Sequence, residues 1–336
     1  MDTVSANNLS RIQIEMTSYC NAFCGACLRN IEGGALNPLI KLEHMNWDTW
    51  KKICEFCKEH KVDTLIFNGN IGDISNHPEV IDMLNYLSTM QKHIKLDIHT
   101  NGAARSTKFW KELSTIVQKF SNSLVTFSID GLEDTNHLYR RGTKFDNIMK
   151  NASAYISNGG TSRWRMIVFD HNKHQIVNAS NRARDMGFSA FELNRSYIKK
   201  IKTTEYKKMP ATTITAPSLS EVNDLRPLVE YRNIVPTKRK AITPIDSVCP
   251  WQRDRSIQIA QDGIVWPCCY LNMYGNKQNS KKFVWLEEKI KVYDNNFNSL
   301  QYNDLKTILQ HDFFQKDLKH NFKNKLLTVC VEKCNI

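Results

Sequence analysis

Six short apolar runs, at residues 12–16, 64–67, 94–98, 124–129, 164–169 and 190–193, are separated by segments whose apolar residues recur at the helical period. This alternation constrains the chain more than any other feature, because strand and helix in turn, joined by right-handed crossovers, build a parallel α/β sheet. After the first run, Asn46 can cap a helix whose Trp50, Ile53 and Cys57 share a face. Leu84 and Leu87 serve the second helix, Phe109, Leu113 and Ile116 the third, Phe145, Ile148 and Ala152 the fourth, and Ile176, Ala179 and Ala183 the fifth. The fold class expected is therefore α/β, a partial (β/α)6 TIM-like barrel, since six units are too few to close an eight-stranded one. A doubly wound sheet is the alternative.

The unusual sequences follow the strands. Cys20, Cys24 and Cys27 come after the first, Gly69, Asn70, Gly72 and Asp73 after the second, Thr100 and Asn101 after the third, and Ser128 and Asp130 close the fourth. Asp170, His171 and Asn172 follow the fifth, and Asn194, Arg195 and Ser196 the sixth. Parallel α/β folds place their active sites at the carboxyl ends of the strands, so one shared site is expected there.

No apolar run reaches the ~18–20 residues of a membrane helix, and residues 1–10 lack the basic start and apolar stretch of a secretory signal. A cytoplasmic protein with no membrane partner is expected. In that compartment ten cysteines do not form a disulfide framework, and their clustering favours metal binding. The net charge of +12 suits an acidic partner or simply a solvated basic surface.

Three cysteines within eight residues can hold three irons of a cubane and leave the fourth open, whereas a structural zinc site collects four ligands. The CxxxCxxC spacing of Cys20, Cys24 and Cys27, at the head of six strand–helix units, resembles the radical S-adenosylmethionine (SAM) superfamily. Glu15, Thr17 and Asn21 match the form of this loop in members with C-terminal auxiliary clusters. Ala26 stands where the family often has an aromatic residue near the adenine. The resemblance implies that the open iron of a [4Fe–4S] cluster binds SAM, and that one electron cleaves it to methionine and a 5′-deoxyadenosyl radical that abstracts a substrate hydrogen.

Further motifs extend the resemblance over residues 9–195. Gly69, Asn70, Gly72 and Asp73, followed by His77 and Pro78, resemble the family's GGEP segment, whose backbone carbonyls receive the SAM ammonium. Thr100 and Asn101 resemble its TNG turn, and Ser128 and Asp130 its SxDG segment beside the ribose and methionine parts of SAM. Arg140 or Arg141 matches the arginine that pairs with the SAM carboxylate. Val168 and Asn172 are expected near the adenine and ribose.

Towards the C-terminus, the Asp262–Gly263 pair between two strand-like runs signals a hairpin. Cys249 stands at its entry, Cys268 at its exit, and Cys330 and Cys334 end the chain. Four thiolates can close a metal site, with zinc as the alternative to iron. The glycine five positions before Cys268 resembles the auxiliary-cluster domain called SPASM, in its truncated twitch form. This implies a second [4Fe–4S] cluster on Cys249, Cys268, Cys330 and Cys334, structural or electron-accepting. Cys269 is the alternative to Cys268. Cys54 and Cys57 on the first helix are read as buried core residues.

The domains expected are an N-terminal extension at 1–10, a core at 11–195, a connector at 196–247 with a helix near 218–231, and the auxiliary-cluster domain at 248–336. The function implied is that of a radical SAM oxidoreductase acting on a small molecule or a peptide, with SAM and two [4Fe–4S] clusters as cofactors. Flavodoxin or ferredoxin is the expected electron donor. With Cys20 so near the start there is no room for a leader-binding domain ahead of it, so a peptide-modifying maturase served by a separate leader-binding protein is one alternative. A zinc-containing basic protein that binds nucleic acid without catalysis is another, disfavoured because it leaves the SAM-like motifs unexplained. Lys199, Lys200, Lys207, Lys208 and the basic run at 238–240 are expected near an anionic substrate.

Overall fold

The computed structural model describes residues 4–232, 249–272 and 284–334. Six parallel strands form its centre: β1 (Arg11–Ile14), β2 (Thr64–Phe67), β3 (Lys95–Thr100), β4 (Leu124–Ser128), β5 (Ser162–Val168) and β6 (Ala190–Arg195). They lie side by side in chain order. Each crossover returns to the next strand on the same side, so the sheet is singly wound and the doubly wound alternative falls away.

Helices α1 (Trp47–His60), α2 (Val80–Met90), α3 (Thr107–Val117), α4 (Asn136–Tyr139), α5 (Phe145–Ser157) and α6 (Ile176–Asp185) fill the crossovers. Asn46 caps α1 as expected, its side-chain oxygen accepting from the Thr49 amide at 2.8 Å. Trp50, Ile53, Cys54 and Cys57 are fully buried on this helix. Every strand sends alternate residues into the layer beneath the helices, among them Ile12 and Ile14, Leu65 and Phe67, Leu96 and Ile98, all in one apolar core. The residues between them face the other way, into the concave side of the sheet.

The connector holds an antiparallel hairpin of β7 (Lys200–Thr203) and β8 (Thr212–Thr215), then α7 (Leu219–Val229) and the short β9 (Tyr231–Arg232). Ser218 and Glu221 form a reciprocal capping box at the start of α7. Residues 238–240 lie outside the described residues.

After α8 (Pro250–Arg253), β10 (Ser256–Ile259) pairs in parallel with β1, and β11 (Val265–Trp266) turns back against it. The C-terminal hairpin thus continues the central sheet at its first edge. Helix α9 (Cys269–Asn272) follows, then α10 (Val284–Val292), α11 (Leu305–Gln310), α12 (Leu318–Asn324) and α13 (Thr328–Cys334).

Candidate active site

The loop after β1 carries Cys20, Cys24 and Cys27 into one cavity at the carboxyl ends of the strands. Gly69, Asn70, Gly72, Asp73, Thr100, Asn101, Ser128 and Arg140 share its lining. Backbone close approach dictates the glycines: a Cβ on Gly72 would lie 1.8 Å from the Thr17 carbonyl oxygen, and one on Gly69, at φ +61°, 2.4 Å from the Gly72 oxygen. The β2 loop can therefore press its backbone against the cysteine loop.

Glu15, at the end of β1, holds the β2 loop from below. One carboxylate oxygen accepts from the Asn70 amide at 2.8 Å, while the other has no partner among the described residues. Burial raises the pKa of Glu15 to about 7, against the lowering effect of the Asn70, Ile71 and Gly72 amides. Asp73 clasps the β2 and β3 loops together, accepting from the Thr100 hydroxyl at 3.0 Å and the Asn101 backbone amide at 2.7 Å. The Asn101 side-chain amide reaches the Asn21 oxygen at 3.0 Å and the Cys20 sulfur at 3.5 Å.

Across the cavity, the Arg140 guanidinium lies 2.6 Å from the Asp130 carboxylate and 3.7 Å from the Cys24 sulfur. Asp130 is wholly buried, and its other oxygen accepts from the Ile167 amide at 2.6 Å. Burial raises its pKa, opposed by Arg140. All three thiols are pushed up, first by burial; Cys20 and Cys27 also feel neighbouring thiolate charge, Cys27 reaching about 11. Three thiolates can share so dry a site only with positive charge among them, which an iron–sulfur cluster supplies.

A second cavity, lined by Cys249, Cys268, Cys330 and Cys334, opens among Trp251, Phe314, Leu318, Phe322 and Val329. Burial and the charges of Cys249 and Cys334 push the Cys330 thiol up to about 12. Among the described residues no three His, Cys, Asp or Glu side chains converge tightly enough to hold a single metal ion. Four thiols around one cavity have the donor chemistry that an iron–sulfur cluster or a zinc ion takes.

No family model matches the chain. It is 26% identical to the antilisterial bacteriocin subtilosin biosynthesis protein AlbA of Bacillus subtilis over 263 residues, 78% of this chain and 52% of that protein. The chain thus spans about half the length of this relative. The Streptococcus suis protein SuiB, solved with S-adenosylmethionine, superposes with a TM-score of 0.58 at 17% identity, covering 92% of this chain and 67% of SuiB. The structure of anSMEcpe with bound AdoMet gives 0.60 at 14% identity over 96% of this chain and 80% of its own. The expected partial barrel is the fold this chain shares with these structures.

Three expectations need correction against this geometry. Val168 does not face the cavity: it is fully buried in the layer beneath the helices, because Trp164, Met166 and Val168 occupy alternate positions of one strand. Ile167 occupies the concave side. Arg141 also points away, donating to the Thr204 and Met209 carbonyls of the connector at 2.8 and 3.2 Å, so Arg140 is the arginine at the site. Asn172 is spent on structure, its amide bonded to the Asp130 and Ile167 carbonyls.

Cys268 lines the second cavity, whereas Cys269 is outside its lining, its thiol raised to about 12 by burial and then by the Glu15 charge. Part of the basic connector that was expected near an anionic substrate forms the hairpin of β7 and β8. It lies on the cysteine loop, with Thr203 and Ile201 within 3.0 Å of where a Gly25 Cβ would stand and the Thr204 amide bonded to the Glu32 carbonyl. Lys207 lies over the Phe23 ring at 5.1 Å.

Proposed function

We propose that this chain is a radical SAM enzyme that removes a hydrogen atom from a peptide substrate and uses a second cluster to accept an electron or to hold the C-terminal module together. The observation that carries the reading is the convergence of Cys20, Cys24, Cys27, the β2 glycine loop and Arg140 on one cavity. Cys20, Cys24 and Cys27 would hold a [4Fe–4S] cluster that, when bound, supplies one electron for cleavage of SAM to methionine and a 5′-deoxyadenosyl radical.

The chain's own groups do the positioning. Glu15 fixes the β2 loop, whose carbonyls would receive the SAM ammonium, and the Arg140 guanidinium, set by Asp130, would pair with the SAM carboxylate. Ser128 and Asn101 offer polar contacts to the remainder. Cys249, Cys268, Cys330 and Cys334 would hold the second cluster, with all four corners protein-bound. Residues 11–195 then form the SAM-binding core, 196–247 the connector and 248–336 the auxiliary module, behind an extension at 1–10.

The peptide reading is favoured over a small molecule by the name of AlbA, a bacteriocin biosynthesis protein, and by a structure of SuiB bound to its precursor peptide SuiA. A flavodoxin or ferredoxin in the cytoplasm would deliver the electron. No helix of the described residues is long and apolar enough to cross a membrane. The test is anaerobic incubation of the reconstituted protein and SAM with peptide extracts from cells grown on deuterated amino acids. Deuterium in 5′-deoxyadenosine is the expected result. Deuterium transferred only from a non-peptide fraction would overturn the peptide assignment.

A further inference from the structure

In a closed eight-stranded barrel the inner layers are filled mainly by branched apolar side chains. Here the concave side of β3 to β6 carries charge. Asp97 and His99 come from β3, Arg163 and Arg165 from β5 and Glu192 from β6, in neighbouring register. His99 bridges Asp97 and Arg165, with 3.2 Å to each. Arg163 lies 3.1 Å from Glu192 and donates to the Thr126 hydroxyl at 2.7 Å. Burial lowers the pKa of His99, against its bond to Asp97.

Arg165 differs from its neighbours. Its contact to Glu192 is 3.3 Å, on a carboxylate that Arg163 also engages. Its Nε–H is buried and has no acceptor among the described residues, an arrangement that costs free energy unless a ligand completes it. Strand register sets it beside Ser128, and both Ser128 and its contact His99 line the cavity of the three cysteines. Its side chain is 22% exposed towards the concave side.

We propose that Arg165 anchors the substrate by pairing its guanidinium with a carboxylate of the peptide, beneath the SAM cavity. This rests on the reading that the concave side of the sheet receives substrate. Guanidinium and carboxylate match as a planar, charge-assisted pair, and Lys cannot reproduce that geometry.

The test uses reconstituted protein and two probes, N-acetyl-glutamate α-amide and its uncharged glutamine counterpart, compared by saturation-transfer NMR. The expected result is at least about tenfold tighter binding of the acidic probe, lost in Arg165→Gln and weakened in Arg165→Lys. Equal binding of the two probes by the wild-type protein, binding of neither, or full retention in a folded Arg165→Gln protein would overturn the proposal. SAM cleavage driven by dithionite, measured alongside, separates this outcome from the wider reading. Cleavage that persists without selective probe binding removes only the anchor, whereas absent cleavage in the wild-type protein removes the radical SAM function.

Discussion

The two cysteine sites of this chain are built in opposite ways. The first takes its three cysteines from eight consecutive residues and surrounds them with polar groups: the Asn101 amide, the Arg140 guanidinium and the backbone of the β2 loop. The second gathers four cysteines from three distant segments and surrounds them with Trp251, Phe314, Leu318 and Phe322. A local loop with one unfilled corner and polar walls can accept a ligand. A cavity closed by four thiols and aromatic side chains has no vacant corner, and it brings together three separate segments of the chain. On the proposed function the first would serve chemistry and the second electron storage or cohesion.

The comparison breaks most directly at the cysteines. Replacing Cys20, Cys24 and Cys27 by alanine should halve the iron content from about eight to about four per chain and abolish SAM cleavage, with little change in thermal midpoint. Replacing Cys249 and Cys268 should give the same loss of iron but a fall in midpoint on the order of 5–10 °C, with SAM cleavage retained. If the two variants showed interchangeable losses, the division of labour would be wrong.

A subtler contrast concerns the packing of the β2 loop against the cysteine loop. Gly72→Ala forces a methyl group onto the Thr17 carbonyl oxygen, at a cost of about 1–3 kcal/mol. Equilibrium dialysis should show SAM affinity weakened by roughly tenfold or more, with the second cluster unaffected. Unchanged affinity would mean that the loop does not carry SAM.

The smallest effect is electrostatic. The folded Glu15 carboxyl holds its proton to about pH 7, against 4.5 ordinarily. Its contribution to stability is therefore fully present below pH 4.5 and is lost as the pH rises through about 7, on the order of 3 kcal/mol. Thermal melts should show this decline in the wild-type protein and a flatter profile in Glu15→Gln across the same window. Parallel profiles would remove Glu15 as a buried titrating group.

Much of this site was legible because it is local. The cysteine spacing, the Gly72–Asp73 segment and the Thr100–Asn101 turn are each contiguous, and each follows a strand that its own apolar residues define. Val168 was misplaced through parity. Trp164 and Met166 fix the even positions of β5 to the helix side, so Arg163, Arg165 and Ile167 must face the other way. That phase was readable, but charged residues in a strand suggest solvent before they suggest a barrel interior. Pairing between distant segments left no such trace. Nothing near Ser256 shows that β10 will lie along β1, and although the lysines of the connector were expected near the substrate, its Lys- and Thr-rich sequence does not reveal a hairpin packed on the cysteine loop.

The most direct test of the difference between the two sites is SAM cleavage itself. Wild-type protein, reconstituted anaerobically and reduced with dithionite, should convert SAM to 5′-deoxyadenosine and methionine in equal amounts, as measured by mass spectrometry. Fully iron-loaded protein that leaves SAM intact would contradict the assignment of the Cys20, Cys24 and Cys27 cavity as the reactive centre.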